Sequence, residues 1–145
     1  MPNTLERPEI TDLTKDRAQE LLGRLHTLRH IRAAYDDEVT QSQIARERGI
    51  SQAHVHRLLK ITENNHEIIA ERPREVIWKR AVGLVTSEHM IDELANWEYA
   101  TTQREPATPL PESVPGAWTD VENALIEGLI TETEVDTIAD RSGMQ

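Results

Sequence analysis

The sequence predicts an all-α protein. Apolar residues recur at steps of three and four along most of the chain, and no stretch alternates apolar with polar residues as a half-buried strand would. Residues that favour helix ends (Thr, Ser, Pro and Gly) stand between these periodic stretches. The length of 145 residues, with 37% apolar residues, suits one ordinary domain or two small ones with a modest core. The absence of cysteine excludes disulfides and thiolate metal sites.

The first long helix is expected after a flexible arm, residues 1–12. Its apolar positions extend from Ala18 to Tyr35, and Thr14 is the expected N-cap. Gly23 lies inside this stretch and costs about 1 kcal/mol relative to alanine, so a break there is an alternative. Two shorter helices are expected next, which together with the first give a domain at residues 13–64.

The second half of the chain contains two further predicted regions. Residues 65–104 form a helical region, with Pro73 and Thr86 at the starts of its helices. Residues 105–116 hold four of the seven prolines, a density that excludes helix and strand and predicts a linker. An acidic C-terminal helical hairpin is expected over residues 117–145.

A short pattern occurs twice, 45 residues apart: Gly83-Leu84-Val85-Thr86 and Gly128-Leu129-Ile130-Thr131. The favoured interpretation is that both are the same turn, with glycine ending one helix and threonine capping the next. A duplicated helical hairpin is the alternative. Within the second copy, Thr131 and Glu134 have the spacing of a capping box.

Charge is divided unevenly along the chain. The net charge is −10, yet residues 1–80 hold 14 basic and 13 acidic residues, whereas residues 81–145 hold two and 13. Residues 41–60 have four basic residues and one acidic residue. The acidic half would repel phosphate, and the short basic segment would not. A local basic face and a chance excess on an acidic surface both remain compatible with this distribution.

Residues 40–60, TQSQIARERGISQAHVHRLLK, meet the requirements of two short crossing helices. Thr40 and Ser51 are the expected N-caps, and Gly49 tolerates the positive φ of a tight turn. The apolar residues expected to face inward are Ile44, Ala45, Ile50, Val55 and Leu58.

These residues resemble the helix-turn-helix of bacterial and phage regulators, the group that contains phage repressors and the fourth region of sigma factors. Arg48 departs from the family pattern, which usually has an apolar residue before the turn glycine; its aliphatic stem is expected to cover the core while the guanidinium reaches solvent. The resemblance implies an N-terminal helix-turn-helix bundle that binds double-stranded DNA.

The resemblance also implies roles for the outward-facing residues. The expected base-reading set on the third helix is Ser51, Gln52, Ala53, His56 and Arg57. Gln52 would pair with adenine, Arg57 with guanine, and Ala53 would touch a thymine methyl group.

Phosphate contacts are expected from Gln41 and Ser42, at the N-terminus of the second helix, and from Lys60. A second basic face comprises Arg24, Arg29 and Arg32, for which a solvated face balanced by acidic neighbours is the favoured interpretation.

The histidines do not indicate a metal site. His26 and His30 have the i, i+4 spacing of two ligands, but no third ligand accompanies them. His54 and His56 are instead expected to strengthen phosphate contact when protonated. No phosphate loop, nucleophile elbow or catalytic triad pattern is visible, so we expect no metal, no cofactor and no enzymatic activity.

Two functions are therefore expected. The first is a sequence-specific transcriptional regulator, such as a repressor of phage or mobile-element origin or an autoregulating antitoxin. It would act as a homodimer, because one helix-turn-helix buries too little surface for tight binding. The second is a protein-interaction module in which acidic residues 81–145 bind a basic partner such as a toxin.

The helical region at residues 65–104 is the candidate for dimerisation or partner binding. Trp78, Trp97 and Trp118 are the apolar anchors available for an interface, although their favoured role is in the core. No apolar run reaches the roughly 18–20 residues that span a bilayer, and the N-terminal residues lack a signal-peptide pattern. We therefore expect a cytoplasmic protein with no membrane partner.

Overall fold

The computed structural model describes residues 8–99 and 118–143, and within these ranges the chain is helical without any strand. The all-α prediction is confirmed. A short 3-10 turn, His66–Ile69, separates the third and fourth helices. The α-helices are α1 (Asp12–Asp36), α2 (Gln41–Arg48), α3 (Gln52–Asn64), α4 (Pro73–Ala81), α5 (Ser87–Ala95), α6 (Thr119–Ile126) and α7 (Glu132–Ser142). The predicted linker, residues 105–116, lies outside the described residues, as does most of the predicted arm.

The chain divides into two compact units. The first, here named the small unit, is Glu20–Ala70, and the second, the acidic unit, contains the described residues up to Gln19 and those from Glu71 onward. The small unit thus starts and ends later than residues 13–64, the limits expected from the sequence. Its start is later because Ala18, at the beginning of α1, is 2% exposed within the core of the acidic unit.

Helix α1 begins two residues before the predicted N-cap, Thr14. The actual capping contact is made by Thr11, whose Oγ1 accepts a hydrogen bond from the backbone N–H of Thr14 at 3.2 Å. The helix then continues through Gly23 without a break. A single glycine is tolerated here because the surrounding residues favour helix strongly enough to outweigh its cost of about 1 kcal/mol.

The core of the small unit joins the later part of α1 to α2 and α3. The buried residues are Ile31, Ile44, Ala45, Val55 and Leu59. The sequence interpretation placed Leu58 rather than Leu59 beneath α3. The structure corrects this assignment, because Leu59 lies one helical turn after Val55 and is 4% exposed, while Leu58 is half-buried at the edge.

Besides the start of α1, the acidic unit contains two helical hairpins, α4–α5 and α6–α7, with α4 packed against α6 and α5 against α7. Trp78 and Trp118 are half-buried against its core, in agreement with the favoured interpretation of these residues. Trp97, for which the same role was expected, is half-buried and lines a small surface pocket with Arg72 and Val76. A partly buried ion pair also joins the hairpins: Arg72, at the start of α4, donates to Asp120 of α6 at 2.7 and 3.1 Å.

The turns that join α4 to α5 and α6 to α7 have the same backbone conformation. Gly83 and Gly128 adopt φ of 83° and 77°, and the N–H of the following leucine bonds a carbonyl five residues back, at 2.8 Å for Leu84 and 2.9 Å for Leu129. A capping threonine then starts the next helix in each case. The environments differ, however, because Leu84 is 65% exposed and Leu129 is 3% exposed. The repeated sequence therefore specifies a turn geometry and not a shared packing position.

Candidate nucleic-acid interface

A three-residue turn, Gly49 to Ser51, joins α2 to α3. Gly49 adopts φ 75°, in the left-handed region that glycine enters at low cost, and its N–H donates to the carbonyl of Ala45 at 2.9 Å. Ile50 packs half-buried against the core. Ser51 is extended, and its Oγ accepts from the N–H of His54 at 3.0 Å. Both predicted caps are present, since Thr40 Oγ1 likewise accepts from Gln43 N–H at 3.1 Å.

Helix α3 has one buried side and one exposed side. Val55 and Leu59 form the buried side, together with Thr62, whose hydroxyl donates to the Leu59 carbonyl at 2.9 Å. The exposed side carries every residue of the predicted base-reading set: Ser51, Gln52, Ala53, His56 and Arg57. These residues are brought together because Gln52 and His56, like Ala53 and Arg57, are four apart on the helix.

The two basic residues on the exposed side of α3, Arg57 and Lys60, differ in their contacts with other residues. Arg57 makes no hydrogen bond or ion pair with any residue in the described part of the chain, so its guanidinium donors are available to a ligand. Lys60 pairs with Glu63 at 3.2 Å, but both side chains are more than half exposed, and such pairs contribute little stability. No carboxylate occurs between Ser51 and Lys60.

The start of α2 is the second part of the candidate interface. Gln41 is half-buried and Ser42 is exposed, both in the first turn. The first backbone N–H groups of a helix have no partner within it and attract anions, so these positions suit a phosphate contact. Arg46, on the same helix, was not in the predicted set, yet it is exposed and unpaired within the described residues. The basic excess of the segment was the available signal for it.

Arg48 does not disturb the packing of the turn, although the family pattern has an apolar residue at its position. The side chain is exposed, and its Nη2 donates to Thr27 Oγ1 of α1 at 3.1 Å. The guanidinium therefore lies at the surface between α1 and α2, and the core beneath the turn is closed by Ile50 and Ala45 instead.

The second basic face suggested for α1 is mostly engaged within the small unit. Arg29 Nε donates to the Ile69 carbonyl at 2.9 Å. Arg32 donates to both carboxylate oxygens of Asp36, at 2.7 and 3.2 Å, and this hydrogen bonding raises the pKa of Arg32 above its ordinary value. Arg24 alone of the three is exposed with no partner among the described residues. These contacts support the interpretation of a balanced surface.

The negative charge of the protein lies outside the small unit. Residues 20–70 contain seven basic and seven acidic residues, so the net charge of −10 belongs entirely to the rest of the chain. Three of the seven acidic residues are consecutive, Asp36, Asp37 and Glu38, at the end of α1. Within this neutral unit, the stretch of α3 from Gln52 to Lys60 has two basic residues and no acidic residue.

Comparison with known protein families, with curated proteins and with solved structures finds no match to this chain. Within residues 8–99 and 118–143, no helix is both long and apolar enough to cross a bilayer. In the same ranges, no three His, Asp or Glu side chains are grouped so as to hold a metal ion.

Proposed function

We propose that the small unit is a helix-turn-helix module and that the protein is a sequence-specific regulator of transcription that binds double-stranded DNA. The observation that carries this proposal is the arrangement on α3, where Gln52, Ala53, His56 and Arg57 share an exposed side and no carboxylate occurs from Ser51 to Lys60. In this proposal α3 enters the major groove, the groove in which each base pair presents a distinct pattern of donors and acceptors.

Each side chain has a specific partner in this scheme. The Gln52 amide has the donor and acceptor that match N7 and N6 of adenine, and the Arg57 guanidinium matches O6 and N7 of guanine in a bidentate contact. The methyl group of Ala53 suits the thymine C5-methyl. The N–H groups of Gln41 and Ser42 hold a phosphate and fix the register, with Lys60 and Arg46 as additional cationic contacts.

The small size of the reading surface favours binding as two copies. A single module of this kind contacts few base pairs, and paired modules read two half-sites about one helical turn apart. The protein would accordingly recognise a sequence with approximate two-fold symmetry.

A second candidate function is the binding of a basic partner protein by the acidic unit. On α7 the exposed residues Glu132, Asp136 and Asp140 are four apart and therefore lie along one side of the helix. Together with the net charge of −10 this side would attract a cationic protein. The two functions are compatible in one chain, as in an autoregulating antitoxin.

The decisive experiment is selection of bound sequences from random duplex DNA with the full-length protein, followed by mobility shifts on the selected sequence. We expect an enriched, approximately symmetric site.

Arg57→Ala should weaken binding by about 1–3 kcal/mol, or about 5–150-fold, and relax preference at one base pair. Arg141→Ala, the same charge change at an exposed position of α7, is the matched control and should leave binding unchanged. A folded protein that retains no duplex DNA at low ionic strength would overturn the proposal.

A further inference from the structure

A cleft of about 290 Å³ lies between α1 and α2, within the small unit and away from the exposed side of α3. Its floor is aliphatic and is made by Ile31 and Ala34 of α1 and Ile44 of α2. Ile31 and Ile44 are each 4% exposed, so the cleft reaches the core of the unit. The proposed DNA contacts use none of these residues.

The rim of the cleft is polar, with one guanidinium, two imidazoles and one carboxylate. The rings of His26 and His30 are stacked, with centroids 6.3 Å apart and an interplanar angle of 26°. Arg48 closes one end through its hydrogen bond to Thr27, which uses only one of the five N–H donors of the guanidinium.

The single carboxylate on the rim, Glu47, keeps its negative charge and has a hydrogen-bond partner of its own. Its Oε1 accepts a hydrogen bond from Gln43 Nε2 at 3.2 Å, on the same helix. The remaining donors of Arg48 are therefore the strongest unsatisfied recognition groups at the cleft, and a guanidinium pairs best with a carboxylate, through two parallel hydrogen bonds.

We propose that this cleft binds a small aromatic carboxylate, with the carboxylate on Arg48 and the ring on the aliphatic floor beside the imidazoles of His26 and His30. The volume is at the lower limit of about 300 Å³ for sites that hold drug-sized molecules, so it suits a molecule with one ring system. The planar ring would remove the apolar floor from water, and the imidazole rings offer it aromatic contacts.

Binding at this cleft would act on the helix that positions α3. Ile44 belongs both to the floor of the cleft and to the core that contains Val55 and Leu59 of α3. A ligand that contacts Ile44 and Arg48 therefore touches α2 at both ends of its last turn. The site itself does not depend on DNA binding, so the two proposals fail or succeed separately.

The test is a titration of the ¹⁵N-labelled full-length protein with benzoate, followed by NMR, with benzamide as the uncharged analogue of the same shape. We expect saturable shifts confined to residues 26–34 and 44–48, and binding of benzamide weaker by about tenfold or more, since the charge-assisted contact is lost. If the shifts do not saturate up to about 10 mM benzoate, the free energy of binding is weaker than about 3 kcal/mol, and this result would overturn the proposal. So would shifts that saturate elsewhere.

Two variants test the rim and the floor of the cleft separately, and a third is the control. Arg48→Gln should weaken benzoate by about tenfold and leave benzamide unchanged, whereas Arg46→Gln, on the same helix but outside the cleft, should change neither. Ala34→Met, which fills the floor, should abolish the binding of both probes. The melting temperature of each variant confirms that it is folded. Equal benzoate affinity in Arg48→Gln and the native protein contradicts the assignment.

Discussion

Arg80 and Glu134 form an ion pair in the interior of the acidic unit, with Nη1 2.7 Å from Oε2 and Nη2 3.1 Å from Oε1. Their side chains are 6% and 0% exposed. Arg80 Nη2 also donates to the Leu129 carbonyl, and Glu134 accepts from the N–H of Thr131. The pair therefore joins α4 of one hairpin to the capped start of α7 in the other, and it supports the fold of the acidic unit from within.

Removing one member of this pair should be strongly destabilising. Glu134→Gln leaves the Arg80 charge buried without a counter-ion, so we expect a loss of about 3–5 kcal/mol in the free energy of unfolding. Asp92→Asn is the control: it breaks the exposed pair with Arg141 and should cost about 1 kcal/mol or less. Urea denaturation measures both. If the two substitutions cost the same, the Arg80 pair does not hold the hairpins together.

The glycines at positions 49 and 23 form a second matched comparison. A Cβ at either position would meet no atom within 4 Å, so packing plays no part in either substitution. Gly49→Ala forces an alanine to φ 75° and should destabilise the protein by about 1–2 kcal/mol. Gly23→Ala, in the middle of α1, should stabilise it by up to about 1 kcal/mol.

The measurement is again the free energy of unfolding in urea, with far-UV circular dichroism as the probe of helix content. Opposite signs for the two glycine substitutions are expected. A Gly49→Ala variant as stable as the native protein would show that the turn between α2 and α3 does not need the left-handed conformation.

The features that the sequence predicted correctly depend on neighbours within about four residues. Thr40, Ser51 and Thr86 were identified as caps because the accepting side chain and the N–H it satisfies lie three residues apart. The exposed set on α3 followed in the same way from helical periodicity, with Val55 and Leu58 taken as the inward residues, of which the structure buries Val55.

The incorrect or missing assignments depend on longer-range packing. Leu58 and Leu59 are equally apolar, and only the direction of the core decides which one is buried. Arg80 and Glu134 are 54 residues apart, and each looks like an ordinary surface charge in its local sequence. The cleft between α1 and α2 could not be foreseen for the same reason, since its walls come from helices whose spacing is a tertiary property.

The proposed DNA contacts predict different salt dependences for two basic residues. Lys60→Ala should weaken binding to all sequences by a similar factor and lower the slope of log affinity against log salt concentration by about one. Arg57→Ala should instead discriminate between sequences, because its contact is to a base edge. Fluorescence anisotropy over a range of salt concentrations, with the selected and a scrambled duplex, measures both effects. Identical behaviour of the two variants would place Arg57 on the phosphate backbone.

Tyr99 should resist ionisation for as long as the acidic unit is folded. Its hydroxyl donates to the Leu94 carbonyl, and its ring meets Trp118 edge to face at 5.0 Å. Burial, with a smaller contribution from the charge of Asp120, raises the pKa of Tyr99 above its ordinary value. Because the folded state favours the neutral phenol, the contribution of Tyr99 to stability is complete below the pKa of the unfolded chain, about 10, and is lost as the pH rises beyond it.

In Tyr35→Phe, which leaves Tyr99 as the sole tyrosine, tyrosinate absorbance at pH about 10.5 should be strong in denaturant and nearly absent in buffer. Tyr99→Phe should correspondingly lose less stability than the native protein between pH about 9.5 and 11. Tyrosinate that forms at the ordinary pH while the helix signal is unchanged would show that Tyr99 is open to water.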